Sequence, residues 1–276
     1  SGSYIIGERT VVYVKAVGRK GMGASVYGEI YDEEENVIAH YITDSLGFGR
    51  VEIEELPGDK LTASVKSGNG YEGKRVKLPK AKTDGVTIHG RFSVSGIEDY
   101  SQSDKVQITV NTTGTLLSQG LKVYLHNGSE IYYSKDINNT EETLTVQMRS
   151  LTAGIHSVSV IDSEGNVYAE RPLLVLPTEK EVLTLSTDST EYGKRDMVDL
   201  SVKVPASLLD SISNFSLSVT DMGLTEDKEK TTIQSYMLLK SELKGYIEDI
   251  EWYFNSTIPL SARILRGDLL LQTQGW

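Results

Sequence analysis

Apolar residues recur with a period of two through most of the chain. In Ser25–Tyr31, Val26 and Ile30 fall on one side and Tyr27, Glu29 and Tyr31 on the other. Val51 and Ile53 alternate with Arg50, Glu52 and Glu54, and Leu61, Ala63 and Val65 repeat the pattern. Val37–Ile42 adds a further run. Gly, Pro and Asp interrupt these runs at roughly eight- to twelve-residue intervals, as in β-sandwiches. The interruptions include Asp32-Glu33-Glu34-Glu35-Asn36, Thr43–Gly49 and Leu56-Pro57-Gly58-Asp59.

The same alternation continues in Val106, Ile108 and Val110 and in Leu144, Val146 and Met148. His126-Asn127-Gly128-Ser129 is a hairpin signal, because Asn-Gly supplies the positive φ angles of a two-residue turn. A turn on Asn127-Gly128 pairs His126 with Ser129 and Tyr124 with Ile131. That register puts Val123, Leu125 and Tyr132 in the core and Lys122, Tyr124, His126 and Tyr133 on an exposed face. Leu151–Val175 reads as a second hairpin about Asp162–Asn166, with His156 on the inward side with Val158 and Val160.

The period changes in Thr231–Phe254, the densest apolar and aromatic block. Ile233, Tyr236, Met237, Lys240, Leu243 and Lys244 approach helical spacing, and Gly245 is a plausible stop. Leu239 and Leu243, four apart, are expected to be buried on the third sandwich. Ile264–Gln272 predicts a second short helix, with Gly267 weakening its first turn. Two polar, proline-containing stretches, Pro79–Gly85 and Leu176–Lys180, divide the periodic segments. The expected organisation is therefore all-β, as tandem sandwiches over residues 1–82, 83–178 and 179–276. The third carries a helical insertion and is read as ending before it is complete.

Composition narrows the function classes. The 276 residues carry 28 basic and 39 acidic side chains, a net charge of −11 that argues against a nucleic-acid partner. The absence of cysteine excludes disulfides, thiolate metal sites and thiol nucleophiles. No apolar run reaches the roughly 18 residues of a membrane helix. Ser1-Gly2-Ser3 has the look of a cloning remnant, and no signal peptide is visible. Fifteen tyrosines against four phenylalanines suit half-buried sheet surfaces.

Two resemblances follow from particular residues. Thr43-Asp44, Gly47-Phe48-Gly49 and Leu56-Pro57-Gly58 resemble the turn–strand–turn order of carboxypeptidase-regulatory-like or macroglobulin-like modules. Gly154, His156, Asp162, Gly165, Ala169, Glu170 and Arg171 match a segment of large Bacteroides-group envelope proteins. So do Ser235-Tyr236-Met237-Leu238-Leu239-Lys240-Ser241-Glu242-Leu243-Lys244-Gly245-Tyr246-Ile247-Glu248 in most positions, and Asp268-Leu269-Leu270 with Thr273-Gln274-Gly275-Trp276. Tyr192-Gly193-Lys194-Arg195 and Ser216–Asp221 resemble strands of macroglobulin-type domains. The resemblance implies immunoglobulin-like, macroglobulin-like sandwiches of the kind that precede the plug domain of TonB-dependent receptors. It also implies a periplasmic or outer-membrane setting, with other domains of the same longer chain as the first partners.

Candidate chemistry is sparse. The acidic run at Asp32–Asn36 lacks the ligand spacing and glycine of a calcium loop and reads as a turn. Glu52 and Glu54 share a solvent face, as in a charged sheet edge rather than a glycosidase pair. There is no nucleophile elbow or phosphate loop. His156 has no second histidine or cysteine nearby for a metal. Asp44-Ser45-Leu46, Asp188-Ser189-Thr190 and Asp210-Ser211-Ile212 fit an O-glycosylation pattern and ordinary turn chemistry equally. The expectation is a non-enzymatic module without cofactor or metal that holds or contacts envelope proteins. The alternative is a glycan- or peptide-binding module serving a transporter, with Tyr124 and Tyr133 as its platform.

Overall fold

The structure is a computed structural model that describes residues 2–68, 70, 72–96, 99–178, 183–206, 216–219 and 231–274. Two compact units are present: Ser1–Pro177 together with Lys230–Trp276, and Thr178–Glu229.

The larger unit begins with a small sandwich. β1 (Thr10–Lys15) pairs with β4 (Phe48–Ile53), and β3 (Val37–Ile42), β2 (Tyr27–Tyr31), β5 (Thr62–Ser67) and β6 (Arg75–Lys77) form the facing sheet in that order. Alternation buries Val12, Val26, Ile30, Tyr41, Val51 and Ile53 between the layers. The β2–β3 turn is closed by Asp32, whose Oδ1 accepts from the N–H groups of Glu34 at 2.9 Å and Asn36 at 2.8 Å. The fourth turn residue, Glu35, has φ 65°. The acidic run is thus an Asx turn, as its composition implied.

The second sandwich has seven strands among the described residues. One sheet is β11 (Glu141–Gln147), β8 (Lys105–Thr112) and β7 (Val86–Ser93). The other is β10 (Ile131–Asp136), β9 (Lys122–His126), β12 (Gly154–Ile161) and β13 (Val167–Val175). This three-on-four antiparallel arrangement is that of an immunoglobulin-like sandwich. Its core sets Ile88, Val106, Ile108, Val110 and Leu144 against Val123, Leu125, Val158 and Val160. The β12–β13 turn repeats the chemistry of the first sandwich: Asp162 Oδ1 accepts from Glu164 and Asn166 N–H, both at 2.9 Å, and Gly165 takes φ 89°.

The β9–β10 hairpin differs from the expected one. Ile131, not Ser129, lies opposite His126, and a bulge follows before Tyr133 meets Leu125 and Ser134 meets Tyr124. Asn127 explains the longer loop. Its Oδ1 accepts from Ser129 N–H at 3.2 Å and Glu130 N–H at 2.9 Å, while its Nδ2 donates to Tyr132 Oη at 3.1 Å. These bonds select a four-residue loop over the two-residue turn.

The helical block belongs with this unit. α1 (Ile233–Leu238) spans only six residues and a 3-10 turn, Lys240–Glu242, follows it. Thr232 caps α1 through its own hydroxyl to Ser235 N–H at 3.2 Å. Ile233, Tyr236 and Met237, expected on the buried stripe, are exposed. Ser235, Leu239, Leu243, Ile247, Ile250 and Tyr253 are buried instead. Leu239 and Leu243 are therefore core residues, but the core they join is that of the second sandwich. α2 (Leu260–Thr273) covers the predicted second helix and starts earlier, behind Pro259. Gly267 has a packing reason, since a Cβ there would stand 2.6 Å from Leu174 Cδ2. The expected third domain over 179–276 is accordingly divided: its helical part completes the larger unit.

The smaller unit contains β14 (Thr184–Thr187) and β15 (Leu200–Lys203), paired antiparallel. Asp188 organises the connection, accepting from Tyr192 Oη–H at 2.7 Å and Asp199 N–H at 3.0 Å. Residues 216–219, read as part of a strand, have no regular structure, and Asp221 lies outside the described residues.

Candidate functional site

The larger unit is built around one arginine. Arg171, on β13, is fully buried, and its Nη2 donates to Asp268 Oδ1 on α2 at 2.6 Å. Its Nη1 donates to Tyr13 Oη on β1 at 3.4 Å. Gly90 on β7 makes the room: a Cβ there would fall 2.7 Å from Arg171 Nε. One side chain thus touches both sandwiches and the helix. Burial pushes the Asp268 carboxyl up, and the facing guanidinium offsets that only in part. Burial above all, with surrounding positive charges adding, those of Arg171, Arg9 and Arg50 among them, holds the pKa of His89 down to about 4.

Further polar contacts tie α2 and its approach to the first sandwich. Arg266 Nη2 donates to Asp44 Oδ2 at 3.0 Å and stacks over Trp252, 4.2 Å from the ring centre. Asp44 is already fixed by its turn, accepting from Leu46 and Phe48 N–H, both at 2.9 Å. Glu248 Oε2 accepts from Gly23 N–H at 2.8 Å. On the second sandwich, Gln272 Nε2 donates to Pro172 O at 3.2 Å. Arg171 and Asp268 both stand in stretches that the family resemblance marked. Nothing in the spacing of residues 97 apart pairs them, so the link was invisible to pattern reading.

The tyrosine platform is not assembled. Tyr133 lies opposite Leu125, and Tyr124 opposite Ser134, so the two rings project from opposite faces of the sheet. The bulge causes this, because a one-residue shift exchanges the faces. His156 is inward and buried as expected, with its ring 5.0 Å from that of Tyr132. Neither of its ring nitrogens has a hydrogen-bond partner among the described residues, and burial pushes its pKa down.

The structure does bring a serine and a histidine together. His126 Nε2 and Ser159 Oγ are 2.9 Å apart, with Glu170 Oε1 3.3 Å from the hydroxyl. Gly128 N–H donates to His126 Nδ1 at 3.2 Å, which makes Nδ1 the acceptor and puts the ring proton on Nε2. Nε2 therefore donates to Ser159, which donates to Glu170. That polarity is the reverse of a serine–base pair, and Ser159 is buried. Glu52 is held between Arg9 and Arg50, and burial of charge is slight there. No group of three or more metal-ligating side chains occurs among the described residues. Of the Asp-Ser triplets, those at Asp44 and Asp188 are turns with the aspartate as acceptor; Asp210-Ser211-Ile212 lies outside the described residues. No helix among the described residues is long and apolar enough to cross a membrane.

No family model and no curated protein matches the chain. Among solved structures it is similar to a "Biofilm associated protein - BSP domain" at 17% identity and TM-score 0.31, over 65% of this chain and 30% of that one. It is also similar to a "Human OSCAR ligand-binding domain" at 10% identity and TM-score 0.23, over 63% of this chain and 93% of that one.

Proposed function

We propose that the chain is a non-catalytic, extracytoplasmic interaction module of a larger bacterial envelope protein, in which the first two sandwiches work as one rigid element. The observation that carries the rigid-element part of this reading is Arg171, bonded at once to Asp268 of α2 and Tyr13 of β1. A helix locked between two sandwiches removes the hinge that a polar linker such as Pro79–Gly85 would otherwise leave. A rigid element sets the distance and angle between whatever is attached at its ends. The envelope setting, and a place beside a TonB-dependent receptor plug, draw their support from the residue matches around Arg171 and Asp268 in the Bacteroides-group motif.

Residual dipolar couplings test the rigid-body reading. Amides of β2–β5 and of β8–β12 should fit one alignment tensor, and Asp268→Ala should split the fit in two. Two independent tensors in the unaltered chain would sink the proposal. Protease shaving of intact cells carrying the natural full-length protein tests the envelope placement: cleavage, or protection released by opening the outer membrane, supports it, and recovery with cytoplasmic markers opposes it.

A further inference from the structure

Among the described residues the first sandwich is one strand short on one side. Its two layers are β1–β4 and β3-β2-β5-β6, two strands over four, whereas the second sandwich sets three over four. The gap lies beyond β1, above β5 and β6. Val76 of β6 registers opposite Ala63 and so points between the layers, yet it is 66% exposed. Inward-pointing Val123, Val158 and Val160 of the complete sandwich are fully buried. The uncovered floor opens a cleft of about 650 Å³, bounded by Val12, Val14 and Ala16 on one side and Ala63, Val65 and Val76 on the other.

The edge of β1 that borders this cleft is unpaired. Ala16 N–H donates to Gly47 O at 2.8 Å, which sets the phase of the β1–β4 ladder. Val11, Tyr13 and Lys15 then turn their N–H and C=O groups away from β4. None of these groups has a backbone partner among the described residues. A second cavity, of about 360 Å³, continues along the same edge and shares Tyr4, Tyr13 and Pro79 with the first. Together they form a trough as long as the strand.

Its charge is unlike that of the chain. Among the described residues no acidic side chain lines either cavity, and Lys74, Lys77 and Lys82 border them, although acidic residues outnumber basic ones 39 to 28 overall. We propose that this trough binds an extended peptide segment with alternating apolar side chains and acidic flanks, which adds as a strand to the open edge of β1. Main-chain bonds to Val11, Tyr13 and Lys15 would supply affinity. Side chains at every second position would fill the cleft over Val76, and the lysines would meet the acidic flanks. An acyl chain would fill the cleft but leave the strand edge unused, so the paired features favour a peptide. This site deepens the interaction-module reading, but it depends on a local edge, whereas that reading depends on rigid coupling at Arg171.

The test uses a nonapeptide that alternates valine and threonine between terminal glutamates, added to the full chain. Amide hydrogen exchange is read residue by residue. At saturation, exchange at Val11, Tyr13 and Lys15 should slow by about tenfold or more. Val11→Pro removes one edge N–H that β4 does not use, and Val76→Glu puts a carboxylate on the already exposed floor. Each should abolish binding while protection in β8 and β12 stays as it was. Lys74→Glu with Lys77→Glu should weaken binding by about tenfold. The proposal is overturned if binding does not saturate by about 1 mM or if protection maps to another edge such as β10. It is also overturned if Val11→Pro and Val76→Glu both bind normally. Two further results would do the same: palmitate occupying the cleft and excluding the peptide without protecting these amides, or self-association that protects them with no peptide present. In each of these cases a single alignment tensor for the two sandwiches would leave the rigid-module reading intact.

Discussion

Asp268→Ala would leave the Arg171 guanidinium fully buried without its carboxylate. Arg171 is wholly inaccessible and Asp268 is 8% exposed, so neither charge is appreciably screened by water. With an effective dielectric constant of about 20, a pair at contact attracts by about 4 kcal/mol. Breaking a buried pair by removing one partner costs about 3–5 kcal/mol, chiefly because the survivor stays desolvated. The remaining bond, from Arg171 Nη1 to Tyr13 Oη at 3.4 Å, is long and goes to a neutral acceptor, so it offsets little. The expected loss is therefore about 3–4 kcal/mol, concentrated where α2 meets β13 and β1. Urea melts of the single variants Asp268→Ala and Arg171→Met and of the double variant Arg171→Met/Asp268→Leu give the cycle. Exchange of α2 and β13 amides shows where stability is lost. The double variant should recover most of the loss, because two apolar side chains demand no compensation. A single-variant loss below about 1 kcal/mol, or a double variant worse than the sum of the singles, would refute the reasoning.

Four further outcomes are expected. Asp104 is buried, which alone would raise its pKa, but hydrogen bonds from Ser95 and Ser101 outweigh burial and hold it at about 2. The unfolded carboxyl takes its proton first as pH falls, so about 2 kcal/mol of stability should disappear between about pH 4 and pH 2, and Asp104→Asn melts should show no such drop. His89 stays neutral to about 4 while the unfolded ring protonates near 6.5, so stability should decline as pH falls through that window, by up to about 3 kcal/mol and less where solvent reaches the ring; His89→Gln should flatten it. Glu35 holds φ 65° and Gly165 φ 89° at the same place in equivalent turns. Thermal melts should therefore show Gly165→Ala destabilising by about 1 kcal/mol and Glu35→Gly stabilising by up to about 1 kcal/mol, since glycine relieves the same positive φ and the exposed Glu35–Arg75 pair it forfeits is worth little. Leu243→Ala should cost about 2–5 kcal/mol in denaturant melts of the larger unit, with exchange quickening in the second sandwich.

What could be read from the chain was local. Alternation at Val106, Ile108 and Val110 identifies a half-buried strand because successive side chains on a strand point to opposite faces, a rule that needs only neighbouring residues. The Asp–Asn turns and α2 follow from the same short-range rules. The apolar weight of Leu239 and Leu243 was enough to show that they are buried. It could not show which core receives them, because any incomplete apolar surface satisfies that requirement. The tyrosine pair failed for a similar reason: Asn127 had two acceptable turns, and side-chain bonds to Glu130 and Tyr132 chose the one whose bulge parts Tyr124 from Tyr133. Only the tertiary structure brought Arg171 to Asp268, left β1 with an open edge, and grouped Lys230–Trp276 with the first two sandwiches rather than with Thr178–Glu229. Each of these depends on which surfaces are left uncovered after the strands have paired, and that is a property of the packed whole, with no local residue pattern to announce it.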